Sequence, residues 1–226
     1  MIKIGHRGAC GYQPENTLKS FQKALEFKVD MIEFDVQTCK TGELVVIHDA
    51  KINRTTNGKG YVKNLTLSEL KSLEAGLGEK IPTLEEVLDL IDKKVRVNIE
   101  LKGVGTAKPV VKLIKRYVKE NGWTADHFLI SSFNHQELLE FHQLLPAVKI
   151  GVLFKKIPND FTEFSRLNLK AFSVNLSLDY INQKFVNAAQ RKGLKVFVYT
   201  VNEYNDIERV KNLGVDGIFS NFPDRL

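Results

Sequence analysis

Two spacings of hydrophobic residues alternate along the chain. Short runs of β-branched and aromatic residues are separated by longer stretches in which apolar residues recur every three or four positions. The short runs are typical of buried strands and the longer stretches of amphipathic helices. The pattern predicts eight strands, at Ile2–Gly5, Met31–Val36, Val95–Leu101, Phe128–Ser131, Lys149–Leu153, Ala171–Asn175, Lys195–Tyr199 and Val215–Phe219.

Helices are predicted between these strands. The first covers Asn16–Phe27 and places Phe21 and Leu25 on one apolar face, and the next begins with Thr83 as its N-cap. Eight strand–helix units in 226 residues favour one α/β domain over residues 1–226, a TIM-type (β/α)8 barrel, with a doubly wound open sheet as the alternative. The remaining predicted helices are Thr83–Ile91, Lys108–Glu120, His135–Leu144, Phe161–Leu167, Gln183–Arg191 and Glu203–Asn212.

One segment interrupts the alternation after the second strand. Lys40–Glu43 has the composition of a tight turn, and Leu44–His48 has the pattern of another strand. The two strands are too close in sequence for a parallel crossover, so we expect a β-hairpin that extends the second strand. Residues 49–82 then form a small polar insertion, with its least regular part at Asn57–Gly60.

Charge and cysteine content narrow the partners and the compartment. The 33 basic and 27 acidic residues give a net charge of +6, which favours anionic substrates, but they form no basic run that would indicate a nucleic-acid partner. Cys10 and Cys39 form no C-x-x-C pair and are expected to be reduced thiols. Without a leader or a long apolar run, we expect a cytoplasmic protein with no stable membrane anchor. The sequence carries no signal for an oligomeric state.

Acidic residues mark one face of the second strand. Glu33 and Asp35 are two positions apart and therefore point to the same side, whereas Ile32 and Phe34 point to the other. The apolar side is expected to meet the helices, which turns the carboxylates into the barrel. Buried carboxylates repel each other and resist desolvation, and a hard cation would remove both penalties. A salt-bridged or rim-exposed pair is the alternative.

The third strand repeats this arrangement. Asn98, Glu100 and Lys102 share one face. Together with the acidic residues of the second strand, Glu100 completes three carboxylates at two strand ends, a set suited to Mg²⁺ or Ca²⁺. Lys102 could instead simply neutralise Glu100.

Two histidines lie at predicted strand ends near these carboxylates. His6 follows the first strand, and His48 ends the hairpin strand. Histidine exchanges protons near neutral pH, and acid–base chemistry needs one donor and one acceptor. Asp49 could orient a neighbouring group or belong to a turn.

Next to His6, Arg7 has the forked donors that suit a phosphate, although a salt bridge to Glu33 or Glu100 would also explain it. Glu15 could hold Arg7 in place, and Asn16 fits an ordinary helix start.

Five short segments carry these residues in a fixed order. They are His6-Arg7-Gly8, Pro14-Glu15-Asn16-Thr17, Glu33-Phe34-Asp35-Val36, Val46-Ile47-His48-Asp49 and Glu100-Leu101-Lys102. The ordered set resembles the glycerophosphodiester phosphodiesterase family. The similarity continues through Arg54-Thr55-Thr56-Asn57-Gly58, Pro82-Thr83-Leu84-Glu85-Glu86, Ser131-Ser132-Phe133, Tyr199-Thr200-Val201-Asn202 and Asp216-Gly217-Ile218, and so covers nearly the whole chain.

The resemblance implies a TIM-type barrel with a small insertion after the second strand. It implies metal-dependent hydrolysis of a small-molecule glycerophosphodiester to glycerol 3-phosphate and an alcohol. The glycerol 2-hydroxyl would attack phosphorus to give a cyclic phosphate that water then opens. The implied residues are Glu33, Asp35 and Glu100 as ligands of Mg²⁺ or Ca²⁺, His6 and His48 as the acid–base pair, Arg7 and Lys102 as phosphate ligands, and Glu15 and Asn16 in support.

The sequence departs from the family pattern at two places. Tyr199 stands where many members have tryptophan, and Ser220-Asn221 stands where Thr-Asp is common. We expect neither departure to touch the metal ligands or the histidines.

Two other functions fit the same residues. A lysophospholipase D would use this site on a single-chain lipid, and an apolar groove near Phe133, Phe154 and Tyr199 would favour it. A non-catalytic phosphate- or lipid-binding barrel would be expected to lack a metal carboxylate or a histidine, and here all are present.

Overall fold

A computed structural model of the chain describes residues 1–158 and 169–226. The strands in these residues are β1 (Ile2–His6), β2 (Met31–Thr38), β3 (Leu44–Val46), β4 (Arg96–Leu101), β5 (Phe128–Ser132), β6 (Lys149–Phe154), β7 (Ser173–Ser177), β8 (Lys195–Tyr199) and β9 (Gly217–Ser220). All except β3 run parallel, and β1 pairs with both β2 and β9. This closure confirms the predicted barrel and excludes the open sheet.

The helices of the described residues lie between these strands. They are α1 (Leu18–Glu26), α2 (Leu67–Ser72), α3 (Leu84–Ile91), α4 (Ala107–Glu120), α5 (His135–Leu144), α6 (Gln183–Gln190) and α7 (Tyr204–Asn212). Thr83 caps α3 as predicted, because its side chain accepts a hydrogen bond from the backbone N–H of Glu86. The helix predicted at Phe161–Leu167 lies outside the described residues. None of the described helices has the length and apolar content needed to cross a membrane.

Helix α1 begins two residues later than predicted. Thr17 is its N-cap and accepts a hydrogen bond from the backbone N–H of Ser20. Asn16 has a φ of 58°, a left-handed conformation that ends any continuation of the helix toward the N-terminus. The backbone turn instead leaves the Asn16 side chain free to point into the barrel.

Side chains of β2 alternate between the helix-facing core and the barrel interior, as predicted. Ile32 and Phe34 are fully buried between the barrel wall and the helices. Met31 faces the barrel interior, where it packs with Ile4, Leu129, Phe197 and Phe219. The carboxylates of β2 therefore point inward, above this interior apolar layer.

The predicted hairpin is present, with β3 antiparallel to β2. Its strand ends at Val46, two residues before the predicted end. Beyond it, the backbone N–H of Ile47 still donates to the carbonyl oxygen of Asp35, and the side chain of Gln37 donates hydrogen bonds to the carbonyl oxygens of Ile47 and His48. His48 therefore follows the strand and turns toward the barrel mouth.

The insertion contains a small apolar core, although the sequence predicts a polar segment. It contains α2 and two 3-10 turns, at Ile52–Arg54 and Val62–Asn64. Ile52, Val62 and Leu70 are almost completely buried and form a second small core with Val45, Ile47 and Ile81. This packing gives the insertion a fixed position beside the mouth of the barrel.

Two strands late in the chain are displaced from their predicted bounds. The ladder between β6 and β7 begins with Gly151 opposite Ser173, so β7 starts two residues after the predicted Ala171. Strand β9 likewise starts at Gly217, because its pairing with β8 begins there. These shifts follow the pairing register, which a single strand's pattern does not contain.

Candidate active site and metal-binding carboxylates

Strand register brings the predicted site residues together. His6 on β1 is opposite Glu33 on β2, and Asp35 on β2 is opposite Glu100 on β4. All four lie toward the C-terminal ends of their strands, the end of a TIM barrel where catalytic residues are found. The three carboxylates offer oxygens that lie within 4.8 Å of one another.

This carboxylate cluster is buried. Glu33, Asp35 and Glu100 are only 2, 1 and 8 % exposed. Burial, followed by repulsion from Asp35 and Glu100, holds the pKa of Glu33 well above its ordinary value. Burial and the neighbouring Asp35 carboxylate likewise raise the pKa of Glu100 to about 7. The protein thus concentrates negative charge where water cannot screen it.

Basic side chains compensate only part of this charge. Lys102 Nζ lies 2.8 Å from Glu100 Oε1 and 3.7 Å from Asp35 Oδ1, and Arg7 Nε lies 3.4 Å from Asp35 Oδ2. The lysine thus neutralises Glu100, as one alternative from the sequence proposed. Glu33 differs, because no lysine or arginine side chain of the described residues pairs with it, and its carboxylate accepts only the backbone N–H of Arg7 at 2.9 Å.

The carboxylate cluster fits a divalent cation. Ca²⁺ binds carboxylate oxygens at about 2.4 Å and Mg²⁺ at about 2.1 Å, so two oxygens on one ion are at most about 4.8 Å apart for Ca²⁺ and about 4.2 Å for Mg²⁺. The oxygens of the cluster lie within 4.8 Å of one another, which meets the limit for Ca²⁺. The donor set is all carboxylate, the preference of hard cations rather than of zinc. The uncompensated Glu33 and the two raised pKa values are the penalties that such an ion would remove.

His48 is held by a carboxylate on one side and an ammonium on the other. Its Nδ1 is 2.5 Å from Asp49 Oδ1, and its Nε2 is 3.0 Å from Lys102 Nζ. An ammonium only donates hydrogen bonds, so Nε2 accepts from Lys102 and Nδ1 donates to Asp49. Of the two interpretations of Asp49 from the sequence, the structure shows the orienting contact.

His6 has a neutral partner instead. Its Nδ1 donates to Asn221 Oδ1 at 2.7 Å, which leaves Nε2 as the acceptor that faces Glu33 at 4.0 Å. Burial and the adjacent Arg7 cation lower the pKa of His6 to about 4, so the ring is neutral at pH 7. The prediction that Ser220-Asn221 touches neither histidine is therefore wrong. Asn221 follows β9, and closure of the barrel places that strand beside β1.

Glu15 connects two arginines at the rim of the site. It accepts a hydrogen bond from Arg7 NH1 at 2.8 Å, in agreement with its predicted support of that residue. It also accepts two from Arg54, whose guanidinium in turn donates to Asp49. The sequence argument missed Arg54 as a site residue. Its place in the family-like segment after the hairpin was the available signal.

Asn16 supports the carboxylate cluster directly. Its Nδ2 donates to Asp35 Oδ2 at 2.9 Å, and its Oδ1 accepts the backbone N–H of Asp35 at 3.3 Å. Gly8 makes the neighbouring turn possible, since its φ is 85° and a Cβ there would lie 2.6 Å from the backbone carbon of Ser20. The chain after β1 therefore passes close against α1, with Arg7 above the site.

Six of the site residues line one open cleft of about 1090 Å³, namely His6, Arg7, Glu33, His48, Glu100 and Lys102. Phe133 and Tyr199 form part of its wall, with their ring centroids 5.9 Å apart. The Tyr199 hydroxyl donates to the backbone carbonyl of Phe154, whose side chain packs on the main apolar core. Two of the three aromatic residues predicted to form a groove therefore line the cleft.

Comparison with known proteins decides the family of this barrel. The model of the glycerophosphoryl diester phosphodiesterase family matches residues 6–225. The chain belongs to this family. It is 41% identical over 238 residues to the glycerophosphodiester phosphodiesterase of Caldanaerobacter subterraneus subsp. tengcongensis, with 100% of this chain and 96% of the relative covered. It is 38% identical over 236 residues to that of Bacillus altitudinis, at 100% and 96% coverage.

A solved structure of a family relative resembles the whole barrel. The phosphodiesterase of Oleispira antarctica, determined in complex with the product sn-glycerol-3-phosphate, superposes with a TM-score of 0.90 at 30% identity, covering 98% of this chain and 93% of that chain. The family and the enzyme class predicted from the sequence are confirmed. The individual roles of the site residues in this glycerophosphodiester phosphodiesterase family member remain predictions.

Proposed function

We propose that this protein hydrolyses glycerophosphodiesters to glycerol 3-phosphate and an alcohol. The observation that carries the proposal is the buried carboxylate cluster, with His6 beside Glu33 and with Lys102 in contact with both Glu100 and His48. The named activity of the Caldanaerobacter relative and the product bound by the Oleispira phosphodiesterase support the same reaction.

Arg7 and Lys102 are the side chains proposed to hold the substrate phosphate. Both already contact Asp35, and both line the cleft. Arg7 is kept in place by Glu15, which leaves its guanidinium oriented before substrate arrives. Lys102 exchanges its contact with His48 for a phosphate oxygen when the diester binds, because a charged acceptor makes the stronger hydrogen bond.

Glu33, Asp35 and Glu100 would hold the divalent ion, Mg²⁺ or Ca²⁺. When bound, this ion supplies positive charge that stabilises the charge developing at the phosphoryl group. Asn16 orients Asp35 for that task, in keeping with the role of hydrogen-bond partners around metal ligands.

The hydrogen-bond partners of the two histidines support different roles for them, one as base and one as acid. His6 is neutral, with Nε2 free to accept a proton, and Asn221 fixes this tautomer. His48 faces the Asp49 carboxylate, which stabilises an imidazolium once Lys102 has moved to the phosphate. We therefore infer that His6 is the base and His48 the acid in the first step.

The first step uses the substrate's own glycerol. His6 takes the proton of the 2-hydroxyl, whose oxygen bonds to phosphorus as the bond from phosphorus to the leaving alcohol breaks. His48 gives its proton to the departing oxygen, and a cyclic glycerol phosphate remains. In the second step the histidines exchange roles: water adds to phosphorus, loses a proton to His48, and the released 2-oxygen takes the proton held by His6. One water is consumed, and glycerol 3-phosphate is released.

The test is release of glycerol 3-phosphate from a glycerophosphodiester, before and after exhaustive chelation and after return of Mg²⁺ or Ca²⁺. Activity should disappear on chelation and return with metal, and Glu33→Gln should be inactive under all three conditions. Glu85→Gln, an exposed site on α3, is the matched control and should behave as wild type. Full activity of verified metal-free protein would overturn the proposal.

Three further expectations accompany this function. We infer that residues 1–226 act as one catalytic domain, since the site draws on residues from β1 to the end of β9. A cytoplasmic location agrees with two free cysteines. A small diester rather than a nucleic acid agrees with the buried carboxylates at the cleft.

A further inference from the structure

The cleft extends well beyond the carboxylates and histidines. Its volume of about 1090 Å³ is slightly above the roughly 300–1,000 Å³ that small-molecule pockets occupy. A glycerol phosphate unit at the carboxylate cluster therefore leaves part of the cleft for the rest of a substrate. The residues that line this part, which we call the outer wall, are Phe133, Lys155, Lys156, Asp179 and Tyr180.

Phe133 connects the outer wall to the catalytic residues. Lys102 Nζ lies 5.6 Å from the centroid of its ring, and Lys155 Nζ lies 5.8 Å from the same centroid. Lys102 also contacts Nε2 of His48 at 3.0 Å. The outer wall therefore continues from the side of the cleft where His48 lies, which is where the leaving alcohol departs in the proposed function.

The outer wall carries more positive than negative charge. Neither Lys155 nor Lys156 has an ion-pair partner within residues 1–158 and 169–226. Their ammonium groups instead face aromatic rings, since Lys156 Nζ is 5.9 Å from the centroid of Tyr180. Asp179 is exposed and accepts a hydrogen bond from Ser177 at 3.3 Å. Two lysines that form no ion pair with any described residue thus line the cleft beside one carboxylate.

We propose that the outer wall binds a leaving alcohol that carries its own phosphate group, so that such glycerophosphodiesters are the preferred substrates. This rests on the proposed function. Two ammonium groups donate charge-assisted hydrogen bonds to phosphate oxygens and repel a cationic head group. The rings of Phe133 and Tyr180 are already faced by lysines, so they do not form a free aromatic cage for a quaternary ammonium group.

The experiment compares three diesters that share the glycerophosphoryl end. Their leaving groups are choline, glycerol and glycerol bearing a terminal phosphate. For the wild-type protein with Mg²⁺ or Ca²⁺, kcat/KM should be about tenfold higher for the phosphate-bearing alcohol than for glycerol, or about 1.4 kcal/mol. It should be lowest for choline, and the preference should shrink as salt is raised.

Variants assign the preference to the outer wall. Lys155→Gln combined with Lys156→Gln should remove the tenfold advantage while kcat/KM for glycerophosphoglycerol stays within about twofold, and the double Lys→Arg variant should keep it. The control, Lys112→Gln with Lys184→Gln, removes the same charge from exposed sites on α4 and α6 and should leave the preference intact.

The outcomes separate the two proposals. If all three diesters are cleaved at similar rates, or if the control abolishes the preference as fully as the outer-wall variant does, the outer-wall proposal is wrong and the phosphodiesterase stands. If none of the three is cleaved with either metal, the proposed function fails and the outer-wall proposal fails with it. Circular dichroism melts verify that each variant is folded.

Discussion

Replacing Asn16 tests how the protein orients its carboxylate cluster. Asn16 is 4 % exposed and makes two hydrogen bonds to Asp35, one to the carboxylate at 2.9 Å and one from the backbone N–H at 3.3 Å. A hydrogen bond to a charged group contributes about 1.5–3 kcal/mol, and a neutral one about 0.5–1.5 kcal/mol. Asn16→Gly removes both and should lower the free energy of unfolding by about 3 kcal/mol.

Glycine is the informative replacement because of the backbone. Asn16 has a φ of 58°, which glycine adopts without strain and alanine does not. Asn16→Ala loses the same hydrogen bonds and adds roughly 1 kcal/mol of left-handed strain. The difference in unfolding free energy between the two variants therefore measures the backbone strain at this turn. The loss of unfolding free energy in Asn16→Gly measures the contribution of the side-chain hydrogen bonds.

The same change should weaken metal binding. Hydrogen-bond partners of metal ligands are typically worth about 10–100-fold in affinity, and Asn16→Gly should lose Mg²⁺ or Ca²⁺ affinity within that range. Urea unfolding gives the stability and isothermal titration calorimetry the affinity. Asn182→Gly, which removes the N-cap of α6 on the opposite part of the barrel wall, should leave the affinity unchanged. Wild-type metal affinity in Asn16→Gly would refute the assigned role.

Three other expectations follow from the site. The pKa of Glu100 is raised from 4.5 to about 7, so the folded metal-free protein holds an extra proton between these pH values. Its free energy of unfolding should therefore fall as pH rises through this window. Urea unfolding at several pH values should show this fall, and Glu100→Gln should reduce it. His6→Ala and His48→Ala should each lower kcat by roughly 10²-fold with calorimetric metal binding retained, and near wild-type turnover would remove that histidine from the mechanism. Gly8→Ala should cost about 3 kcal/mol in urea unfolding, from left-handed strain and overpacking against Ser20. Gly42→Ala, where a Cβ meets nothing within 4 Å, should cost only about 1 kcal/mol, and equal losses would contradict the packing argument.

The barrel and the carboxylate cluster could be predicted because each rests on a local pattern. Alternation along β2 separates Glu33 and Asp35 from Ile32 and Phe34 before any partner strand is known. Pairing register does not appear in that pattern. The opposition of Asp35 to Glu100, and the start of β7 at Ser173, became visible only in the folded sheet.

The sequence did not predict the contacts between segments that are far apart along the chain. His6 and Asn221 are 215 positions apart, and only closure of β9 onto β1 brings them together. Arg54 reaches Glu15 because the insertion packs on its own small core, an arrangement that its mixed composition does not reveal. Asn16 fits an ordinary helix start in the sequence, which reveals neither its positive φ nor its hydrogen bond to Asp35, 19 positions away.

The most direct test of the catalytic arrangement is turnover of a diester whose glycerol 2-hydroxyl is replaced by hydrogen. Arg7, Lys102 and the carboxylate cluster still meet its phosphate, so it should compete with the parent substrate at a similar concentration. An intramolecular hydroxyl held beside His6 can lower the barrier by about 7 kcal/mol in the best cases. The account therefore predicts binding with almost no hydrolysis. Hydrolysis of the 2-deoxy diester at a rate like that of the parent would contradict it.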